Sequence, residues 1–266
     1  MLGKLIRYEI SATGRLFLPF YGALIVLALI NKLFFSFDTP MPDFIADVTM
    51  ATYIIIIVAI AVLTYLVMIQ RFYKNLLSDE GYLMFTLPVK SWQHITSKLV
   101  VAVMWTVISL LVTLFTIFLM VFNSEMIPHI QELIAEVRQE FAPLDQAAVI
   151  SLFVQLSITA FISNVATILM IYSSIAIGHL FGKHRVLASF GAFLGINFAI
   201  QSASSLFVAF IMPSTIERLD EFDGAFVEIM GLLRGIFQVS NVINIVLCAV
   251  FFVVTSYILQ KKLNLE

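Results

Sequence analysis

The stretch VTMATYIIIIVAIAVLTYLVMIQ, residues 48–70, decides the fold. It contains no charged residue. A helix that is apolar on every side over this length is built for a membrane or for the centre of a large protein. About 20 apolar residues suffice to cross the roughly 30 Å hydrocarbon core of a bilayer. The rest of the chain points to the membrane. Of its 266 residues, 61% are hydrophobic and 12% are charged. Soluble domains run at about 45–50% and about 25%.

Further charge-free runs cover 16–31, 99–124, 146–182, 186–216 and 235–260. The first continues past Lys32 to Phe37, because a lysine can extend its amine toward the interface. The run 146–182 would measure about 55 Å as helix, so its ends must protrude or break. The reading is an all-α integral membrane protein with a single transmembrane domain over 1–266. Six spans are expected, at about 17–37, 48–70, 99–122, 150–179, 186–211 and 236–259.

Orientation follows from the basic residues flanking the spans. One side collects Lys4, Arg7, Arg15, Arg71, Lys74, Lys90, Lys98, Lys183, Arg185, Lys261 and Lys262, which is 11 of 15. The other holds Lys32, Arg138, Arg218 and Arg234. Acidic residues divide the opposite way, 4 against 13. Both termini and residues 71–98 are therefore expected in the cytoplasm.

Three polar segments join this frame. Residues 2–16, LGKLIRYEISATGRL, place Leu2, Leu5, Ile6 and Ile10 on one helical face with basic residues at its edges. That suits an interfacial helix on the cytoplasmic leaflet, or a basic anchor for the first span. Residues 125–142 repeat Ile130, Leu133, Ile134, Val137 and Phe141 at helical spacing with acids opposite. They read as an external surface helix. Residues 213–234 form a second external insert. Its Asp220, Glu221, Asp223 and Gly224 depart from calcium-loop spacing and read as a solvated acidic turn.

The composition excludes several functions. A net charge of −2 with no basic arm argues against a nucleic-acid partner. The one cysteine, Cys248, can form no intrachain disulfide, and no Cys/His cluster suggests a metal. The opening reads as an amphipathic segment and not as a cleavable leader. None of the charge-free spans carries an acid, which disfavours an ion-coupled carrier. The segment GHLFGKHR around Lys183 lacks the spacing and the Ser/Thr of a phosphate loop. No catalytic, cofactor-binding or metal-binding residue is expected in this chain.

Neutral polar residues do occur within the spans: Gln155, Asn164, Asn197, Gln201, Asn241 and Asn244. Asn197 and Gln201 are four apart, and Asn241 and Asn244 three apart, so each pair shares a face. Such residues can line a solute pathway or bond one helix to another. Gly191 and Gly195 form a small-xxx-small pattern that permits close helix approach.

The loop between spans two and three is unusual. In RFYKNLLSDEGYLMFTLPVKSWQHITS, residues 71–97, Ser78 can cap a helix and Asp79 and Glu80 suit its N-terminal end. Pro88 stops it. The product is a short cytoplasmic helix with an apolar flank. It can rest on lipid, but Asp79 and Glu80 would then face an anionic leaflet. A protein partner accepts them more easily.

The residues FYKNLLSDEGYLMFTLP at 72–88, the Ser-Lys-Leu at 97–99 and the opening LGKLIRYEISATGRLFLP resemble ABC-2 type transporter permeases of Gram-positive bacteria. The resemblance covers the first 100 residues, and the remainder by its six-span layout. It implies a coupling helix at Leu76–Leu87, with Asp79, Glu80, Tyr82, Leu83 and Phe85 contacting a separate ATP-binding subunit. That partner would hold ATP and magnesium, leaving this chain without a cofactor. It further implies external helices between spans five and six, a second permease chain, identical or related, and export of an amphipathic or hydrophobic compound across a bacterial plasma membrane. A non-transporting assembly or sensor subunit, binding a cytoplasmic partner through the same loop, is the alternative.

Overall fold

In the computed structural model the described residues are 2–36, 43–77, 89–122, 128–129, 131–132, 135–136, 146–182, 184–220 and 225–261. Six long helices account for almost all of them: α1 Leu2–Ser36, α2 Asp43–Leu77, α3 Ser91–Val121, α4 Gln146–Gly178, α5 Arg185–Asp220 and α6 Ala225–Lys261. All six are long and apolar enough to cross a membrane. Among the described residues the chain is all-helical, and its six apolar helices make it a multi-pass membrane protein.

The helices form two compact units. The first contains α1, α2 and α3, and the second contains α4, α5 and α6.

In the first unit, α1 buries Glu9, Thr13, Phe17, Tyr21, Leu24, Ala28 and Asn31. These recur every three or four residues, so one face is inward over nearly the whole helix. Outward positions such as Leu18, Val26 and Leu33 are exposed and apolar, as a lipid-facing surface requires. Residues 2–16, expected as an interfacial segment, are the first turns of this same continuous helix. Pro19 does not end it, although proline removes one backbone hydrogen bond. The buried stripe carries the helix through: Glu9 and Thr13 lie on the same face as Phe17 and Tyr21.

Phe17, Tyr21, Leu24 and Ala28 of α1 pack with Tyr53 and Ile60 of α2 and Val101 and Trp105 of α3. Phe17 stacks on Trp105 with ring centroids 4.7 Å apart. Contacts between α1 and α3 join residues 89, 92 and 88 apart. So constant an offset means that the two helices run parallel. The contacts of α1 with α2 pair Glu9 with Arg71 and Asn31 with Thr49. Residues later in α1 meet residues earlier in α2, so this pair is antiparallel.

Two boundaries differ from the expectation. α2 continues through Arg71 and Lys74 to Leu77, and α3 begins at Ser91 instead of near 99. Leu76 and Leu77, expected to open a coupling helix, are buried residues at the end of α2. Nothing in the sequence stops α2 before Ser78. The polar connection is therefore reduced to 78–90.

In the second unit, α4 packs against both α5 and α6. A tight turn after Gly178 is closed by Leu180 N–H to Ile177 O at 3.0 Å and Phe181 N–H to Gly178 O at 3.2 Å. Residues 213–220, expected as an external insert, extend α5, and 225–234 are the first turns of α6. Of the other expected insert, residues 128–129, 131–132 and 135–136 are helical and exposed. Its apolar residues Ile130, Leu133, Ile134, Val137 and Phe141 lie outside the described residues.

Candidate functional site

The most polar point in the first unit lies at one end of its core. Glu9 of α1 is buried. Lys98 of α3 donates to Glu9 Oε1 at 2.5 Å, and Arg71 Nη1 of α2 stands 3.8 Å from Oε2. The side chains of Glu9 and Lys98 are 6% and 4% exposed, while that of Arg71 is 27% exposed. One carboxylate thus meets two cations from two different helices. The cluster carries a formal net charge of +1, and Arg71 is its most exposed member.

The surroundings fix this geometry. Thr13, one turn after Glu9, donates to the Glu9 carbonyl oxygen at 2.7 Å. Trp105 Nε1, on α3, donates to Thr13 Oγ1 at 2.7 Å. Deeper in the unit, the Tyr21 and Ser109 hydroxyls are 2.7 Å apart, and Ser109 and Thr64 are 3.2 Å apart. Tyr53 donates to Thr116 at 3.0 Å. Buried hydroxyls are thereby satisfied inside the bundle, as a membrane interior demands. Beside the ion cluster lies a small cleft of about 20 Å³, lined by Glu9, Thr13, Met68, Arg71, Lys98 and Trp105 among others. That is room for about one water.

The cluster has a particular relation to the 78–90 connection. Arg71 lies six residues before the end of α2 at Leu77, and Lys98 seven residues after the start of α3 at Ser91. Both flanks of the connection are held on one carboxylate of α1.

The sequence-based candidates fare unevenly. Asp79, Glu80, Tyr82, Leu83 and Phe85 lie outside the described residues. In the second unit, Asn244 Nδ2 of α6 reaches Ser163 Oγ of α4 at 3.3 Å, so this asparagine does bond between helices. Asn241 is half-buried, and its side-chain oxygen has no hydrogen-bond partner among the described residues. On α5, Asn197 bonds back to Phe193 O at 3.0 Å and Gln201 is exposed. No polar bond joins the two α5 residues to the α6 pair among the described residues. Gln155, by contrast, donates to Arg234 O at 3.0 Å, and Arg234 donates to Ser151.

Glu9 is not legible as a site residue in the sequence, because it precedes the first charge-free run. Its spacing gives a signal: Glu9 is three residues from Ile6 and four from Thr13, on the stripe that continues into the span. Its partner Lys98, however, is 89 residues away, and only the fold reveals the pairing.

No family model, curated protein or solved structure matches this chain.

Proposed function

We propose that the chain is the membrane subunit of an ATP-driven transporter of the ABC-2 permease type, working with a separate ATP-binding subunit that holds ATP and magnesium. One observation carries the reading. The acidic and apolar connection between α2 and α3 is flanked by Arg71 and Lys98, and both are held by Glu9 of α1. A push on that connection cannot move α2 or α3 without straining an ion cluster in the first unit. This is what a segment that transmits force from a partner into a bundle needs.

In this reading Asp79, Glu80, Tyr82, Leu83 and Phe85 contact the ATP-binding subunit. The apolar residues supply most of the affinity and the two acids set orientation. Two permease chains, identical or related, combine with two ATP-binding subunits in a bacterial plasma membrane. Both termini and 78–90 lie on the cytoplasmic side. Closure of the ATP-binding subunits rocks the helices and exports an amphipathic or hydrophobic compound.

The test is co-purification. The tagged chain, isolated from its own host in mild detergent, should bring down a protein bearing the phosphate-loop motif G-x-x-x-x-G-K-[ST]. The Leu83→Ala, Phe85→Ala double variant should lose it. Truncating an interface anchor costs about 2 kcal/mol or more, roughly thirtyfold in affinity. Equal recovery of such a protein by the variant would show that the segment is no docking element. Its recovery by neither form would favour the assembly or sensor role.

A further inference from the structure

Arg71 has donors to spare. Among the described residues its polar contact is Glu9 Oε2 at 3.8 Å, an ion pair too long for a hydrogen bond. A guanidinium carries five N–H donors in a planar fork. The side chain is partly exposed, and its nitrogens are not among the buried atoms that lack a partner. The fork can be reached from outside the bundle, while Lys98, on the other carboxylate oxygen, is almost wholly buried. Glu9 holds Arg71 in place without using its donors.

Arg71 also lies at a defined depth. The charge-free run of α2 ends at Gln70 and that of α3 begins at Leu99. Arg71 and Lys98 therefore mark the level where both helices leave the hydrocarbon and meet the headgroups. α1 and α2 are antiparallel, with Glu9 beside Arg71. By helical rise, Lys4 and Arg7 on α1 and Lys74 on α2 fall within about 8 Å of this level along the axis. All three are exposed. Among the described residues of this band, five cations stand against one carboxylate.

The ligand follows from the chemistry. Basic clusters beside membrane spans attract anionic headgroups, and the guanidinium fork matches two oxygens of one phosphate. A zwitterionic headgroup would bring its ammonium toward Lys4, Arg7 and Lys74, whereas an anionic one meets no repulsion there. The cleft beside Arg71 measures about 20 Å³, room for one water and not for a phosphate. The anion must sit on the exposed part of the side chain. Leu66, just over one turn earlier on α2, is exposed and apolar and offers a surface to a tail. We propose that Arg71, positioned by Glu9, binds the phosphodiester of an anionic phospholipid that has no headgroup amine, while Lys4, Arg7 and Lys74 disfavour zwitterionic lipids. Phosphatidylglycerol is the simplest such lipid. This goes beyond the transport reading: lipid binding is measured on the chain alone, so either can fail without the other.

The probes are dioctanoyl phosphatidylglycerol, dioctanoyl phosphatidylcholine and inorganic phosphate. Each is titrated into the purified full chain in a neutral detergent, and the thermal unfolding midpoint is followed. Phosphatidylglycerol should raise the midpoint saturably. Phosphatidylcholine should not, and neither should inorganic phosphate, which has no tail. In Arg71→Gln, half-saturation should need at least about tenfold more phosphatidylglycerol, for the loss of charge-assisted hydrogen bonds. Arg71→Lys keeps the charge without the fork and should fall between; it carries the comparison should Arg71→Gln not fold. Lys90→Gln removes the same charge from an exposed site about 12 Å along α3 from Lys98, and should leave the titration unchanged. Weakening by Lys90→Gln equal to that by Arg71→Gln would mean diffuse attraction without a site. That result, an equal shift from phosphatidylcholine, a matching shift from inorganic phosphate, or an unchanged titration in the Arg71 variants would each overturn the proposal.

Discussion

Lys98 Nζ and Glu9 Oε1 meet at 2.5 Å, although 89 residues separate them in the chain and both side chains are almost wholly buried. Removing one member strands the other as a buried charge, which typically costs about 3–5 kcal/mol. Lys98→Met and Glu9→Leu should each lower the thermal midpoint strongly and reduce the yield of folded protein. The double change should recover most of the loss, because a well-packed apolar pair often does no worse than a buried ion pair. Arg71 does not spoil this rescue, since it stands 3.8 Å from Glu9 and is partly exposed. A midpoint for the double variant equal to the sum of the two single losses would refute the coupling.

Trp105 separates stacking from hydrogen bonding in the same region. Its ring stacks on Phe17, and its Nε1 donates to Thr13. Trp105→Phe keeps an aromatic ring and loses one hydrogen bond, at a cost of about 0.5–1.5 kcal/mol. Trp105→Ala also opens a cavity and should cost about 3–5 kcal/mol. Unfolding of both variants in the same detergent gives the ranking. Equal losses would mean that the stack contributes little.

α4 and α5 approach closely at Gly178. A Cβ placed there would collide with the backbone and hydroxyl of Ser189. Gly178→Ala must push the two helices apart, and overpacking of this kind costs about 1–3 kcal/mol. Ser189→Ala should not rescue it, because the backbone of residue 189 remains in the way. A Gly178→Ala protein as stable as the parent would show that the turn 179–182 absorbs the shift.

The spans were legible in the sequence because lipid leaves so little choice: charge-free runs of membrane length can hardly fold otherwise. Their ends were less so. Arg71 and Lys98 read as boundaries of a loop, yet each lies inside a helix, for Glu9 offsets their charge. That compensation depends on contacts between distant parts of the chain, and no local pattern displays it. The mid-helix asparagines were visible as polar exceptions. Only the packing of α4 on α6 tells Asn244, which has a partner on the neighbouring helix, from Asn241, whose side-chain oxygen has none.

His179, in the turn after α4, gives a pH signature. Burial of its ring, and next the nearby Arg185, hold its imidazole below the usual histidine range. The unfolded chain then binds the proton more readily than the folded one, so stability rises with pH across this window. The protein should lose stability as the pH falls from about 6.5, the ordinary value, through the lowered folded value. His179→Asn should lack that part of the loss. The two midpoints are compared across pH; curves that stay parallel below about pH 6.5 would rule the effect out.

The last prediction concerns direction in the membrane, where 11 of 15 basic residues fall on one side of the six-span layout. Lys4, Lys90 and His184 are exposed on that side, and Glu132 is exposed on the other. In a Cys248→Ala background, single cysteines at these four positions report their side by reaction with a membrane-impermeant maleimide. The positive-inside bias predicts the first three in the cytoplasm. They should react only after the cells are opened, while Glu132→Cys should react in intact cells. Orientation and docking share this outcome: a partner that hydrolyses ATP is available only on the cytoplasmic side. Labelling of Lys90→Cys in intact cells would put the 78–90 connection outside and remove both the orientation and the proposed partner together.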